Sequence, residues 1–335
     1  MVIASLATPV YGGAFNSRQG EVGAFTRAGL CNHLESLYVE LEPGIGCLRE
    51  SPVVERNTCY TSTNLLAEYV LRNICGYRDL ADRVRAFLEK YKPGFYDYYQ
   101  VLLGERVVFP FNATRHEVVG LVQVGGGEVV IKRVVVASDT IVDYYEYANL
   151  VALKAVGHAE RGELSEAREE LSRLEALFDG RGFADKAFKA RREELGESLY
   201  EAYKLALAVI AHRVAGEEDG AEKYASILQR IKPPATYYTP DLAGSGDLNV
   251  ETACLAAIAL YGQVKIPVAK RVGPPLMLVL AALFLVVALT AVSTTLWRGK
   301  KSAPRGRKTR LGSLLIVNRV EWNTATLLPA RLPRA

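Results

Sequence analysis

The chain has 335 residues, 50% of them hydrophobic and 23% charged, with 41 Lys and Arg against 37 Asp and Glu. That hydrophobic share excludes a disordered polyampholyte, and a net charge of only +4 gives no general polyanion-binding surface, so no nucleic-acid partner is expected. The four histidines, His33, His116, His158 and His212, lack ligand spacing, so neither a metal nor another cofactor is expected.

Residues 1–14 are apolar over about ten positions with small residues near Gly12, and read as a signal-peptide remnant without its basic region. Either the true start lies upstream or the signal is atypical; a buried N-terminal strand or loop is the structural alternative. A helical domain is expected over 15–265. Its first predicted helix, 20–41, carries Val22, Phe25, Leu30, Leu34, Leu37 and Tyr38 and stops at Pro43-Gly44. The connection GCLRESPVVERNTC follows. Helices over 60–74 and 78–91 form a hairpin about Gly76.

The period then changes. ERVVFPF, EVVGLVQV and EVVIKRVVV are β-branched runs separated by turn material that includes Gly125-Gly126-Gly127, and they predict a small β-meander inserted at 100–137. The glycines lack a following helix with Lys-Ser/Thr and so are not a phosphate loop. Asn112-Ala113-Thr114 makes Asn112 a glycosylation candidate, in what reads as an exposed turn. Helices resume over 140–161, 163–178, 184–194, 197–214, 218–232 and 250–262, and their short connections imply antiparallel neighbours.

Four of the five cysteines, Cys31, Cys47, Cys59 and Cys75, fall in the first quarter, so two bridges are possible. Cys59 and Cys75 bracket a predicted helix and would lie about 24 Å apart, beyond the roughly 7 Å limit for a bridge. Cys47 and Cys59 share one connection and are the best pair; buried free thiols are the alternative. Cys254, on an apolar helix, reads as core packing.

Buried, Ala- and Leu-rich helices (60–74, 140–161, 197–214, 250–262) alternate with amphipathic ones (78–91, 163–178, 218–232). A ring of hairpins with inner and outer layers would produce that alternation. Two segments extend the pattern. Gly46-Cys47-Leu48-Arg49-Glu50-Ser51-Pro52 precedes Asn57-Thr58 and Asn64-Leu65-Leu66-Ala67. Gly246-Asp247-Leu248-Asn249-Val250-Glu251-Thr252 precedes the last helix. Over roughly 20–262 the chain resembles the α/α-toroid (six-hairpin-like) superfamily of carbohydrate-active and terpenoid-cyclase-type proteins. That resemblance implies a mainly α fold, a partial toroid because four buried helices stand where six are usual, with the β insertion added.

In a toroid the inner-helix ends surround a shared cleft. The residues placed there are Glu50, Tyr60 and Asn64; Asp143, Tyr144 and Glu146; Glu197 and Tyr200; and Asp247, Asn249 and Glu251. Phenol rings stack on sugar rings and carboxylates accept hydroxyl hydrogen bonds; a pair of carboxylates also suits glycosidic acid–base chemistry. Acids at helix N-termini equally serve as caps. Catalytic residues are not assigned by sequence.

After a linker at 266–275, residues 276–297 carry no charge and are long enough, at about 33 Å, to cross a bilayer as a helix. The tail 298–335 holds ten basic residues and one acid, Glu321, a balance of +9, which leaves −5 for residues 1–297. Seven of the ten lie at 298–310, against Lys265, Lys270 and Arg271 on the other flank. The positive-inside rule then predicts a cytoplasmic tail and an outward N-terminal domain. The expectation is a single-pass cell-surface protein, with the lipid bilayer as a partner, whose ectodomain binds a glycan, peptide or protein ligand and is not evidently catalytic. The alternative is a glycoside hydrolase or lyase using carboxylates at the inner-helix ends. Scarce Met (two) beside plentiful Tyr (18) points to a heat-adapted, prokaryotic source.

Overall fold

The computed structural model describes residues 25–262, apart from 93–94, 96, 106–109, 126 and 233–234. The expected signal remnant, the linker, the span 276–297 and the basic tail all lie outside the described residues. Among those described, no helix is long and apolar enough to cross a membrane.

Helix α1 (Arg27–Ser36) is capped by the Thr26 hydroxyl, which accepts from the Gly29 amide. The expected helix over 20–41 is thus cut short. From Leu37 the chain enters β1 (Tyr38–Glu42), turns, and returns as β2 (Ile45–Leu48). Pro43-Gly44 is the hairpin turn, not a helix stop, with Gly44 at φ 79°. Gly46 is required because the Tyr38 ring lies where a Cβ would be. β3 (Thr58–Tyr60) runs straight into α2 (Thr61–Val70), which finishes in one wide turn, Leu71–Cys75, closed by Gly76 at φ 79°. Amphipathic α3 (Arg78–Tyr91) buries Ala81, Val84 and Phe87 on one stripe.

A 3₁₀ turn at Tyr99–Leu103 precedes β4 (Asn112–Val124) and β5 (Gly127–Thr140). Two of the three runs expected in the meander at 100–137 form one long hairpin, to which β3 adds by pairing parallel to β5 through Thr58 and Val130; residues 106–109 of the first run lie outside the described residues. A parallel partner from before α2 leaves no local sequence signal, so the pairing of β3 with β5 is not foreseen.

Another 3₁₀ turn, Tyr144–Glu146, leads into α4 (Ala148–Glu160), followed by α5 (Leu164–Ala176), α6 (Lys186–Leu195), β6 (Tyr200–Glu201) and α7 (Ala202–Ala215). Then come α8 (Glu218–Arg230), β7 (Tyr237–Tyr238), β8 (Gly244–Ser245) and α9 (Val250–Tyr261). The helices expected from 140 and 197 begin only at 148 and 202. Residue 147 is extended (φ −119°, ψ 114°), and Tyr200 and Glu201 pair with β7. The fold is about 54% helical with strands in three small sheets, so it is mixed rather than mainly α.

Helix α7 packs between α4 and α9, and α9 also packs on α2; α5, α8 and α3 back α4, α7 and α2 respectively. The inner set is buried nearly all round, Leu205 to Ala211 without a break. Each fully buried Leu or Val there contributes about 1.5–3 kcal/mol of transfer free energy. A smaller core of Leu41, Cys47, Cys59, Phe87, Val129 and Ile131 sits under the three-stranded sheet. Bridges Cys47–Cys59 and Cys31–Cys75 staple this end of the fold, and Cys254 is a buried free thiol.

Candidate active site

Helix N-termini meet beneath the hairpin, and a nearly buried carboxyl joins two of them. Glu50, 4% exposed, follows β2. Its Oε2 accepts from the Thr63 hydroxyl of α2 at 2.7 Å, and the Glu251 amide of α9 also donates to its carboxyl. Its own carbonyl accepts from the Val250 amide at 2.9 Å. The two segments that carry the toroid resemblance therefore pack on one another. Asn64, fully buried, fastens the first: its side chain accepts from the Leu48 amide at 2.7 Å and donates to the Leu48 and Tyr60 carbonyls.

Above Glu50 opens a chamber of about 190 Å³ lined by Glu50, Glu55, Tyr60, Ser62, Thr63, Asp97, Tyr99, His116, Asn249 and Glu251. Asn249 caps α9, accepting from the Thr252 amide at 3.0 Å. Glu251 projects from the first turn of that helix and accepts a hydrogen bond from the Tyr99 hydroxyl. Burial pushes Glu50 up to about 8, with the Glu251 and Glu55 charges adding to it against the Thr63 bond. Burial also lifts Glu251 to about 7; Tyr99 opposes this, while Asp97 and Glu201 reinforce it. At neutral pH Glu50 therefore holds its proton and Glu251 is about half protonated, so Glu251 can give or take a proton there.

The opposite wall comes from the segment after α3. Asp97 and Tyr98 both take left-handed backbone, φ 51° and 67°, a conformation costly for non-glycine residues and concentrated at functional sites. The Asp97 Oδ1 accepts from the Thr114 hydroxyl at 3.3 Å. Burial raises its pKa; the Thr114 bond and the nearby His116 lower it. His116, on β4, lies against the Tyr60 ring with centroids 4.7 Å apart. The Tyr60 hydroxyl donates to Glu55 at 2.6 Å and accepts from Lys132 at 3.2 Å. Burial first, then Glu55, raises the Tyr60 pKa, so its phenol stays neutral.

Behind Glu251, Glu201 at the start of α7 binds Arg191 at 2.8 Å and Lys204 at 2.5 Å. Lys204, 2% exposed, also binds the fully buried Asp185 at 2.6 Å. Asp185 caps α6 through the Phe188 amide and accepts from the Ala148 amide that opens α4. One carboxylate thus holds the starts of three helices in register.

Of the sequence-predicted residues, Glu50, Tyr60, Asn249 and Glu251 line the chamber, and Asn64 braces its base. The others lie elsewhere. Asp247 accepts from the Val53 and Val54 amides; burial raises its pKa, but those bonds and one from Ser51 leave it lowered, a loop clamp. Tyr144 is held by Lys154 and Arg173 and donates to buried Glu170. Glu146 pairs with Lys186 at 3.3 Å. Glu197 stands exposed in the loop after α6. Tyr200 stacks on Phe188 at 4.5 Å and donates to Asp179. These four fail to converge with the chamber because the chain spends 140–147 and 196–201 on turns before each inner helix begins. Asn112 opens β4 and lies half-buried, its Oδ1 accepting from Thr140 at 3.0 Å, not in an exposed turn.

Sequence reading missed Asp97, Tyr99, His116, Glu55, Ser62 and Thr63. The acid–aromatic run Asp97-Tyr98-Tyr99 was the visible signal. Among the described residues no group of acids, His and Cys is arranged to hold a metal ion. Comparison of the chain with protein-family models, with curated proteins and with solved structures gave no match.

Proposed function

We propose that the described domain is the outward-facing part of a single-pass membrane protein and hydrolyses a neutral glycan. The observation that carries this is the shared chamber: Glu251 and Asp97 line it from separate walls, with buried Glu50 behind. The row α4–α7–α9–α2, backed by α5, α8 and α3, is then an arc of a partial α/α toroid, its cleft at the inner-helix N-termini as in the superfamily that the sequence resembles. Two disulfides support an oxidising, external setting, and the charge flanks of 276–297 support the orientation.

The chamber's four acids, Glu50, Glu55, Asp97 and Glu251, face a single histidine. Glu55 is paired with Lys132 at 3.7 Å, but an anionic polysaccharide would meet negative charge as soon as Glu50, Asp97 or Glu251 ionised, so uronate lyase chemistry is disfavoured. Neutral sugar hydroxyls instead find acceptors, and the rings of Tyr60 and Tyr99 offer apolar faces. In the reaction, Glu251 gives its proton to the glycosidic oxygen as the bond to the anomeric carbon breaks. Asp97 takes a proton from the water whose oxygen forms the new bond to that carbon. Water is consumed, and both carboxyls reset by proton exchange with solvent.

The test is reducing-end release from neutral gluco-, manno- and N-acetylgluco-oligosaccharides by the full chain in detergent micelles. The reading expects turnover that falls as pH rises above about 7, where Glu251 loses its proton. Glu251→Gln and Asp97→Asn should each lower it by about 10²–10⁴-fold. Binding without turnover would leave a glycan-binding module, the other reading of the sequence. Turnover indifferent to Glu251→Gln would remove this site from the reaction.

A further inference from the structure

A second, larger chamber of about 540 Å³ adjoins the first, and Asp97 and Tyr99 line both. It lies between the start of the β4–β5 hairpin and the first turns of α4. Its lining has two kinds of surface. Leu150 and Leu153 of α4, with Ile141, supply an apolar floor, and Tyr147 adds a ring. Asn112, Asn149 and Thr140 supply amides and a hydroxyl. The Asn112 Oδ1 is occupied by the Thr140 hydroxyl at 3.0 Å, which orients the amide and leaves its Nδ2 group as a donor. Asp143, on the rim, is neutralised by Lys186. Asp139 and the shared Asp97 add carboxyls, so the chamber is acidic at two points beside its apolar floor and its amides. An apolar face with a few oriented polar groups is what a pyranose ring requires, one face C–H and the edge hydroxyl.

The dividing wall is the strained pair Asp97-Tyr98, both in left-handed backbone. Strain of this kind persists where surrounding structure enforces it. Here the Tyr98 hydroxyl accepts from the Asn112 amide at 2.6 Å, and its ring packs edge-on to Phe95 and Phe111. The wall is thereby locked to the mouth of the second chamber.

We infer that this second chamber is a subsite for an adjoining sugar unit, so that the ligand is a chain of at least two neutral sugars whose linking bond crosses the Asp97–Tyr99 wall. The inference rests on the glycan reading of the acid chamber. It also gives Asn112 a role other than glycosylation: a glycan attached there would fill the subsite.

The test is binding, separated from turnover. The full-length Glu251→Gln chain in detergent micelles is titrated calorimetrically with neutral gluco-, manno- and N-acetylgluco-oligosaccharides of one to five units. For at least one series, affinity should rise about tenfold or more between one unit and two or three, roughly the 1.4 kcal/mol a second set of contacts supplies. Asn149→Trp, which fills the chamber, should erase that gain. Asn112→Ala, a milder change, should reduce it in the same direction. Affinity independent of length, no binding at any length, or a gain that survives both substitutions overturns the subsite. The hydrolase reading fails separately, on absent turnover by the wild-type chain, and length-dependent binding would then still stand.

Discussion

Glu50 sets the pH response at the scale of single residues. It is almost fully buried without a cation against it, and burial holds its carboxyl at about 8, well above the ordinary value near 4.5. A carboxyl with a raised folded-state pKa binds more protons folded than unfolded between those two values. Stability from this source is therefore complete below pH 4.5 and is lost as pH rises through 8. Glu251, raised to about 7, acts in the same direction over 4.5 to 7. Glu163 acts oppositely: the Arg161 and His158 bonds hold it near 2, so its contribution is lost only on acidification below about 4.5 and leaves the alkaline side untouched. The expected result is a urea midpoint that declines from pH 5 to pH 9. Glu50→Gln should flatten that decline and be the more stable form at pH 9, by on the order of a few kcal/mol. A Glu50→Gln midpoint that runs parallel to the wild-type one over this range would show that Glu50 is ionised in the fold. Glu50 and Glu251 were legible as candidates because each sits at the entry to an Ala- and Leu-rich helix. Asp97 and His116 were not, since one lies on an irregular segment and the other on a strand whose outward face carries no core pattern.

Elements differ in how plainly the sequence declares them. The amphipathic helices α3, α5 and α8 and the apolar α7 and α9 follow directly from 3.6-residue periodicity, because burial on one stripe or all round is what makes that pattern. Residues 38–48 mislead because Pro43-Gly44 serves equally as a helix terminator and a hairpin turn, and only the packing of Gly46 against the Tyr38 ring distinguishes them. The bridges show the same division. Cys47–Cys59 is local, linking β2 to β3 across 12 residues, and its two cysteines share one connection in the sequence, which made them the best pair. Cys31–Cys75 joins α1 to the end of α2 across 44 residues, and its pairing depends on α1 folding back. Closing the longer loop removes more unfolded-state entropy, about 4 kcal/mol against about 3 for the shorter in the chain-entropy model. Cys31→Ala with Cys75→Ala should therefore lower the urea midpoint more than Cys47→Ala with Cys59→Ala, and reduction of the wild type should exceed either. The reverse ranking would mean that the β2–β3 staple acts mainly on native packing around Phe87 and Ile131.

For the whole chain, the charge distribution makes the most specific claim. On the proposed topology, the seven basic residues just after 276–297, against three just before it, would keep the tail in the cytoplasm, because translocating Lys and Arg next to a span is disfavoured. That proposal puts the large domain outside, where its bridges would persist without special protection and its acid chamber would meet external glycans. Protease added to intact cells should degrade the domain and spare an epitope placed after residue 310; permeabilisation should expose the epitope. Exchanging the bias, with Arg298, Lys300, Lys301 and Arg305 changed to Gln and basic residues added before 272, should move part of the population to the opposite orientation. A domain protected in intact cells would reverse the assignment. The chamber would then have to act on an intracellular ligand, and the two bridges would have to form in a reducing compartment, as happens in some heat-adapted organisms. Thiol labelling under native and reducing conditions separates these cases: four of the five cysteines should be unreactive until reduction if the domain is outside, and Cys254 should stay buried until the fold is opened.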